Sequence, residues 1–266
     1  MKSNKSIFLL FGLLILATAT ALAALPLRNQ KTSAAIEQRK NDDLEMPVAE
    51  FGAADSPDPK ERALRQARGS RYNKRGGRAI AELASGEEVL PVNSHWWWGL
   101  PALPASQSHA IVTGEIISAK AYLSNDKTEV YSEFSVRISE VLRNESNLPL
   151  GFGSEVAVER RGGAVRFPSG RLQRYRVAKQ GMPVKGRKYV FFLEFNESGQ
   201  DFSLLTAYEL RDGQVLPLDG YGDKGEPVVT TFTAFAGMDE TTFLNAVAAA
   251  IANPSRNSSE RARPHQ

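Results

Sequence analysis

The chain contains no cysteine. Disulfides, thiolate metal ligands, thioether haem attachment and a cysteine nucleophile are therefore excluded. Histidine is almost as scarce: only His95, His109 and His265 occur, and no His-Glu-x-x-His pattern sets two of them on one helix face. Zinc catalysis wants three well-spaced ligands and an open position, and no such set is visible. A Gly-x-Ser-x-Gly elbow for a nucleophilic serine is also missing. Gly151 and Gly153 precede a β-like run and lack the third glycine of a dinucleotide cradle. The sequence thus implies no metal and no cofactor.

A large charge of one sign is absent too. Lysine and arginine number 33 against 30 acids, and loss of Lys2 and Lys5 with a leader leaves 31 against 30. Bulk charge gives no argument for nucleic-acid binding. Hydrophobic content of 42% and charged content of 24% are ordinary for a globular chain, and 266 residues suffice for one or two domains.

What is present begins at the N-terminus. Lys2 and Lys5 precede the apolar run IFLLFGLLILA at residues 7–17, and Ala-x-Ala steps follow it. This is the tripartite pattern of a signal peptide over residues 1–23. Residues 7–25 also form a 19-residue uncharged stretch, long enough for an uncleaved membrane anchor. On both readings the bulk of the chain is exported, to the periplasm, the extracellular space or the outer face of the cell membrane. A cysteine-free exported protein suits a bacterial envelope.

Residues 24–93 read as a low-order tether. The first part, including NDDLEMPVAEFGAADSPDPK, alternates acids with Ala, Pro and Gly and has no sustained apolar period. The second part is basic, with Lys60, Arg62, Arg65, Arg68, Arg71, Lys74, Arg75 and Arg78 against Glu61 alone. A weak helix fits residues 58–68 and a short one 78–84, while Gly69, Gly76 and Gly77 argue against one continuous helix. The run suits contact with an anionic lipid, a glycan or nucleic acid, or a solvated linker neutralised by the acids upstream.

Residues 94–252 read as a β-domain closed by a helix. EVYSEFSVRISEVL places Phe134, Val136 and Ile138 on one face and Glu133, Ser135, Arg137 and Ser139 on the other, the alternation of a half-buried strand. Gly114 marks a bulge in the preceding strand. Turns are expected at Gly162-Gly163 and Pro168-Ser169-Gly170, and Asp212-Gly213 is a type I′ hairpin signal. RKYVFFLEF is apolar on both faces, so its strand is central. Asp239 caps ETTFLNAVAAAIA, where Phe243, Val247 and Ile251 recur every four residues as a helix requires. Residues 253–266 read as a disordered polar tail.

SHAIVTGEI, YSEFSVRISEVLRN, GSEVAVERR and GMPVKGRKYVFFLEF follow one another over about residues 107–218. Their order resembles the netrin-type or tissue-inhibitor-of-metalloproteinase-like domain, an OB-related five-stranded antiparallel barrel, and is similar to exported bacterial proteins. GRKYVFFL carries most of the likeness. The resemblance implies an OB-like β-barrel and secretion. The inhibitors of that family chelate the protease metal with an N-terminal cysteine, which this chain lacks.

Two features suggest binding. From residue 160 to 188 the chain carries Arg160, Arg161, Arg166, Arg171, Arg174, Arg176, Lys179, Lys185, Arg187 and Lys188 without one acid. In RLQRYRV, period two sends Arg174 and Arg176 to one face and Tyr175 to the other, so a hairpin would present a basic strip to an anionic polymer or an acidic protein. Export disfavours nucleic acid, and a membrane enters only through the N-terminal segment if that is uncleaved. The second feature is Trp96, Trp97 and Trp98 in SHWWWGLPALP. Neighbours in an extended chain alternate, so at least one is expected to plug the barrel. Pro101 and Pro104 favour a rigid strap across the fold, and sugar stacking or interfacial membrane contact is the functional alternative.

Carboxylates are the remaining chemistry. Glu129, Glu133 and Glu140 lie on or near one strand, and glycosidases use two acids about 5 to 10 Å apart. Glu133 falls on the polar face, where solvation is the simpler reading. DGYGDKGE at residues 219–226 fails the calcium-loop pattern, since Tyr221 and Lys224 occupy ligand and glycine positions. The resulting expectation is an exported, noncatalytic binding or scaffold module of the cell envelope. A carboxylate-dependent hydrolase and a protease-inhibitor-like protein are the alternatives.

Overall fold

The computed structural model describes residues 46–83, 89–92, 96–222 and 225–253; the expected leader, the tether up to residue 45, His95, His265 and the tail from residue 254 lie outside them. The protein is mainly β with a C-terminal helix. Strands β3 (Ala110–Leu123) and β4 (Val130–Asn144) form the longest hairpin, with a register shift at Thr113/Gly114 where the bulge is expected. Along β4, Phe134, Val136 and Ile138 are buried, while Glu133 and Ser135 are half-buried and Arg137 and Ser139 are exposed.

Strand β5 (Glu155–Arg161) pairs antiparallel with β4, and β8 (Lys188–Asn196) pairs antiparallel with β3 on the other side. Strand β9 (Asp201–Arg211) runs antiparallel to β8 and, through Val158–Phe202 and Glu159–Ser203, parallel to β5. The pairings therefore pass from β3 through β4, β5, β9 and β8 back to β3. Strand β10 (Gln214–Pro217) folds onto β9 across Asp212 and Gly213, whose φ of 52° and 72° are the two positive values a type I′ turn needs.

Strand β8 is central, as its two apolar faces require. Tyr189, Phe191 and Leu193 join Val112, Phe134 and Val158 in one core, to which all five strands of the ring contribute. Val190 and Phe192 join Ile111, Tyr208 and Val215 in a second core under the helix. Helix α1 spans Pro59–Ser70, α2 spans Thr230–Thr233 and α3 spans Glu240–Ala252. Helix α3 begins where Asp239 accepts a hydrogen bond from the Thr242 amide at 3.1 Å, and it buries Phe243, Val247 and Ala250.

A smaller sheet corrects the expected hairpin at Gly162-Gly163. Strand β6 (Gly163–Arg166) pairs not with β5 but with β7 (Leu172–Val177). Its outer neighbours are β1 (Val48–Glu50), parallel to β6, and β2 (Val89–Val92), parallel to β7. Gly162 and Gly163, at φ of 101° and 147°, carry the chain from one sheet to the other. A Cβ on Gly163 would lie 2.9 Å from that of Ala121 and 3.0 Å from Ser132 Oγ, so only glycine fits between the sheets.

The tether expected over residues 24–93 needs correction within residues 46–83. These residues supply β1, α1 and the buried Met46, Ala49 and Ile80. Composition hid this because β1 is only three residues long and α1 is held mainly by charge, which leaves no apolar period. Residues 78–83 are irregular where a short helix is expected. No helix among the described residues is long and apolar enough to cross a membrane.

Candidate functional site

Helix α1 forms from local signals. Asp58 Oδ1 accepts from the Lys60 amide at 3.0 Å, Pro59 opens the first turn, and Glu61 pairs with Arg65 one turn on at 2.6 Å. The helix lies on the outer face of β4 and β5. Gly69 allows the close approach there, since a Cβ at that position would collide with the side chain of Asn125. Asn125 Nδ2 in turn donates to the Gln66 carbonyl at 2.8 Å, and the Lys74 amide donates to Asp126 and Thr128 at 3.0 Å each.

The face beneath is acidic. Cross-strand register sets Glu133 on β4 opposite Glu159 on β5, a like-charge pairing that opposes folding unless compensated. Asp201 at the start of β9 is the third acid. Arg68 Nη1 reaches Glu133 at 3.1 Å, its Nε lies 3.3 Å from Asp201, and Nε and Nη2 donate to the Gly199 carbonyl at 3.1 and 3.0 Å. Arg71 Nε donates to Glu159 Oε1 at 2.9 Å, and its Nη2 meets Asp201 Oδ2 at 2.6 Å. Tyr72 stacks on Tyr131 with ring centroids 4.7 Å apart. Burial, reinforced by the neighbouring Glu159 charge, pushes the Asp201 carboxyl up to about 7. Burial likewise raises Glu159, against the opposing pull of Arg71.

A crevice of about 200 Å³ opens at the edge of α1, between the helix, residues 49–56 and the end of the β3–β4 hairpin. Arg62, Arg65, Lys120 and Lys127 line it with Tyr122, against two acids, Glu50 and Asp55. The Arg65 guanidinium sits 4.0 Å above the Tyr122 ring, and Arg62 Nε donates to the Ser56 carbonyl at 2.9 Å. Two arginines of the crevice are thereby held in place, while Lys120 and Lys127 are exposed.

The basic strip expected on the hairpin is not assembled as one surface. Arg160 is only 3% exposed: its Nη2 donates to Asp219 Oδ2 at 2.7 Å and its Nη1 to the Gly181 carbonyl at 2.7 Å. Asp219 also accepts from the Gly181 amide at 2.9 Å and from Thr206 Oγ1 at 2.8 Å. Arg161 pairs with Glu129 at 2.8 Å, Arg166 with Glu50 at 2.9 Å and Arg171 with Glu82 at 3.5 Å. Arg174 and Arg176 are half-buried on β7, in register with Val89 and Pro91 of β2. The physical reason is neutralisation: Glu50, Glu82 and Glu129 from earlier in the chain and Asp219 from later in it meet the arginines one by one.

None of the tryptophans plugs the core. Trp96 stacks on Phe232 at 5.6 Å, donates through Nε1 to the Ala178 carbonyl at 3.1 Å and lies 5.3 Å from the Arg160 guanidinium. Trp97 meets Trp96 edge-on and carries Lys179 Nζ 4.2 Å above its ring, while Trp98 is 70% exposed. The interior was already filled by phenylalanine and tyrosine from the ring strands. Among the expected carboxylates, Glu133 enters the arginine cluster and Glu140 is exposed. His109 Nδ1 accepts from the Phe195 amide at 3.0 Å.

Sequence reasoning missed Glu159, Asp201 and Asp219. One signal was available: Arg160 shares the inward parity of Val156 and Val158, and a charge in an inward register demands a buried partner. No family model matches the chain, and no curated protein matches it.

Proposed function

We propose that this protein is an exported, noncatalytic binding module of OB-like fold that holds an anionic polymer, such as a uronic-acid glycan, in the crevice beside α1. The ring of pairings with its one parallel seam, β5 to β9, supports the OB-like reading. In such barrels the second and third strands, with the loops flanking them, form the face that takes oligomeric ligands. The corresponding face here is β4 and β5, which α1 covers, so that ligand access lies at the edge of the helix. The observation that carries the proposal is the crevice lining of four cations against two acids with an aromatic floor at Tyr122. Binding is favoured over hydrolysis because Glu133, Glu159 and Asp201 are engaged by Arg68 and Arg71. Export rests on the N-terminal apolar run.

The test is retention on immobilised polygalacturonate across a salt series. Each exposed charge contributes modestly, so the double substitution Lys120→Gln, Lys127→Gln is expected to weaken retention by about three- to tenfold at low salt. Arg174→Gln with Arg176→Gln is the control and leaves retention unchanged. No retention at low salt, or loss confined to the β7 pair, sinks the reading.

A further inference from the structure

The charges beneath α1 do not balance. Glu133, Glu159 and Asp201 bring three carboxylates against the guanidiniums of Arg68 and Arg71. Lys120, opposite Glu133 in the β3–β4 register, is exposed and answers Glu133 at the rim. Glu159 and Asp201, in contrast, are each 1% exposed and share the one Arg71 Nη2 at 2.8 and 2.6 Å. The other groups facing Asp201 do not supply the missing cation. Tyr72 beside Arg71 and Tyr131 on β4 have phenols whose ionisation burial suppresses. Asn196 from β8 and Ser203 from β9 are neutral and donate to Glu159. Arg65, one turn before Arg68, is committed to Glu61 and to the Tyr122 ring. Asp201 Oδ1 is buried and makes no hydrogen bond to the protein, while Glu159 Oε2 has Arg71 Nη2, already shared with Asp201, at 2.8 Å. An uncompensated negative charge out of water is costly, and one proton removes it.

We infer that α1 is a proton-linked clasp: seating Arg68 and Arg71 over the β4–β5 face takes up one proton on the Glu159–Asp201 pair, so the clasp closes more firmly in mild acid than in mild alkali. The sign follows from where the carboxyl titrates in each state. With α1 seated, Asp201 holds its proton up to about 7; with α1 lifted and the site wetted, it returns toward its ordinary 3.8. Between those limits the seated state binds the extra proton, so its advantage grows as pH falls from alkali through 7 and stops growing below the ordinary carboxylate range. Arg62 and Arg65 belong to α1, so the clasp also builds one wall of the crevice; that consequence alone rests on the function proposed above.

The clasp is tested without any ligand, by amide hydrogen exchange of the full chain. Protection across Pro59–Ser70, corrected for the intrinsic pH dependence of exchange and referred to β8, is expected to be about tenfold higher near about pH 5.5 than near about pH 8.5. Asp201→Asn and, separately, Glu159→Gln each remove the surplus charge and flatten the profile. Equal protection at both pH values in the wild type overturns the inference, as does a slope that survives in both variants. The wild-type measurement decides by itself if a variant does not fold. A flat profile with intact polymer retention removes the clasp and leaves the binding proposal standing; the converse result does the opposite.

Discussion

Arg160 and Asp219 meet at 2.7 Å with side chains 2% and 0% exposed, joining β5 to the chain that leaves β10. Thr206 and the Gly181 amide complete the coordination of the carboxylate, and Trp96 flanks the guanidinium. Removing one partner strands the other charge in the interior. Asp219→Ala is therefore expected to lower stability by about 3 to 5 kcal/mol, read from the midpoint of urea unfolding. The double change Arg160→Met, Asp219→Leu strands no charge and should recover much of that loss. A single-variant cost below about 1 kcal/mol would show that water reaches the pair.

Gly163 decides whether the chain can leave the ring for the smaller sheet. Its φ of 147° and the 2.9 Å approach that a Cβ would make to Ala121 both exclude a side chain. Gly163→Ala is expected to cost about 2 to 4 kcal/mol, from backbone strain and overpacking together. Gly170→Ala provides the comparison, with a positive φ of 87° but open space around its Cβ position. The difference between the two variants in thermal unfolding isolates the packing contribution.

Phe243 fixes α3 to the second core. It is fully buried, with its ring 4.8 Å from that of Tyr208 and 5.3 Å from that of Phe235. Phe243→Ala should destabilise by about 3 to 5 kcal/mol, with exchange protection lost first along Glu240–Ala252. Ala248 is exposed on the same helix, so Ala248→Ser tests whether the effect belongs to packing and not to helix propensity; it is expected to cost about 0.5 kcal/mol or less.

Alternation carried most of what was readable in advance. The parity of Phe134, Val136 and Ile138 assigned β4 its buried face, and the two apolar faces of Tyr189–Phe195 placed β8 between two layers. Asp212-Gly213 and Asp239 announced the last hairpin and the start of α3, because a positive-φ turn and a helix cap are made by residues adjacent in the chain. The segment 46–83 was harder to read, since Arg68 and Arg71 have nothing nearby in sequence to pair with. Their partners at Glu133, Glu159 and Asp201 stand more than sixty residues away.

By itself, the sequence determined the faces of β4 and β8, the Asp212-Gly213 turn, the closing helix and the absence of cysteine chemistry, because each follows from side chains one to four residues apart. Tertiary structure alone decided which charges meet. It turned a basic run and scattered acids into the buried Arg160–Asp219 pair, the arginine-filled face under α1 and the crevice at its edge. Coulomb energy depends on separation in space and on exclusion of water, and neither is written in the order of residues until the sheets have closed.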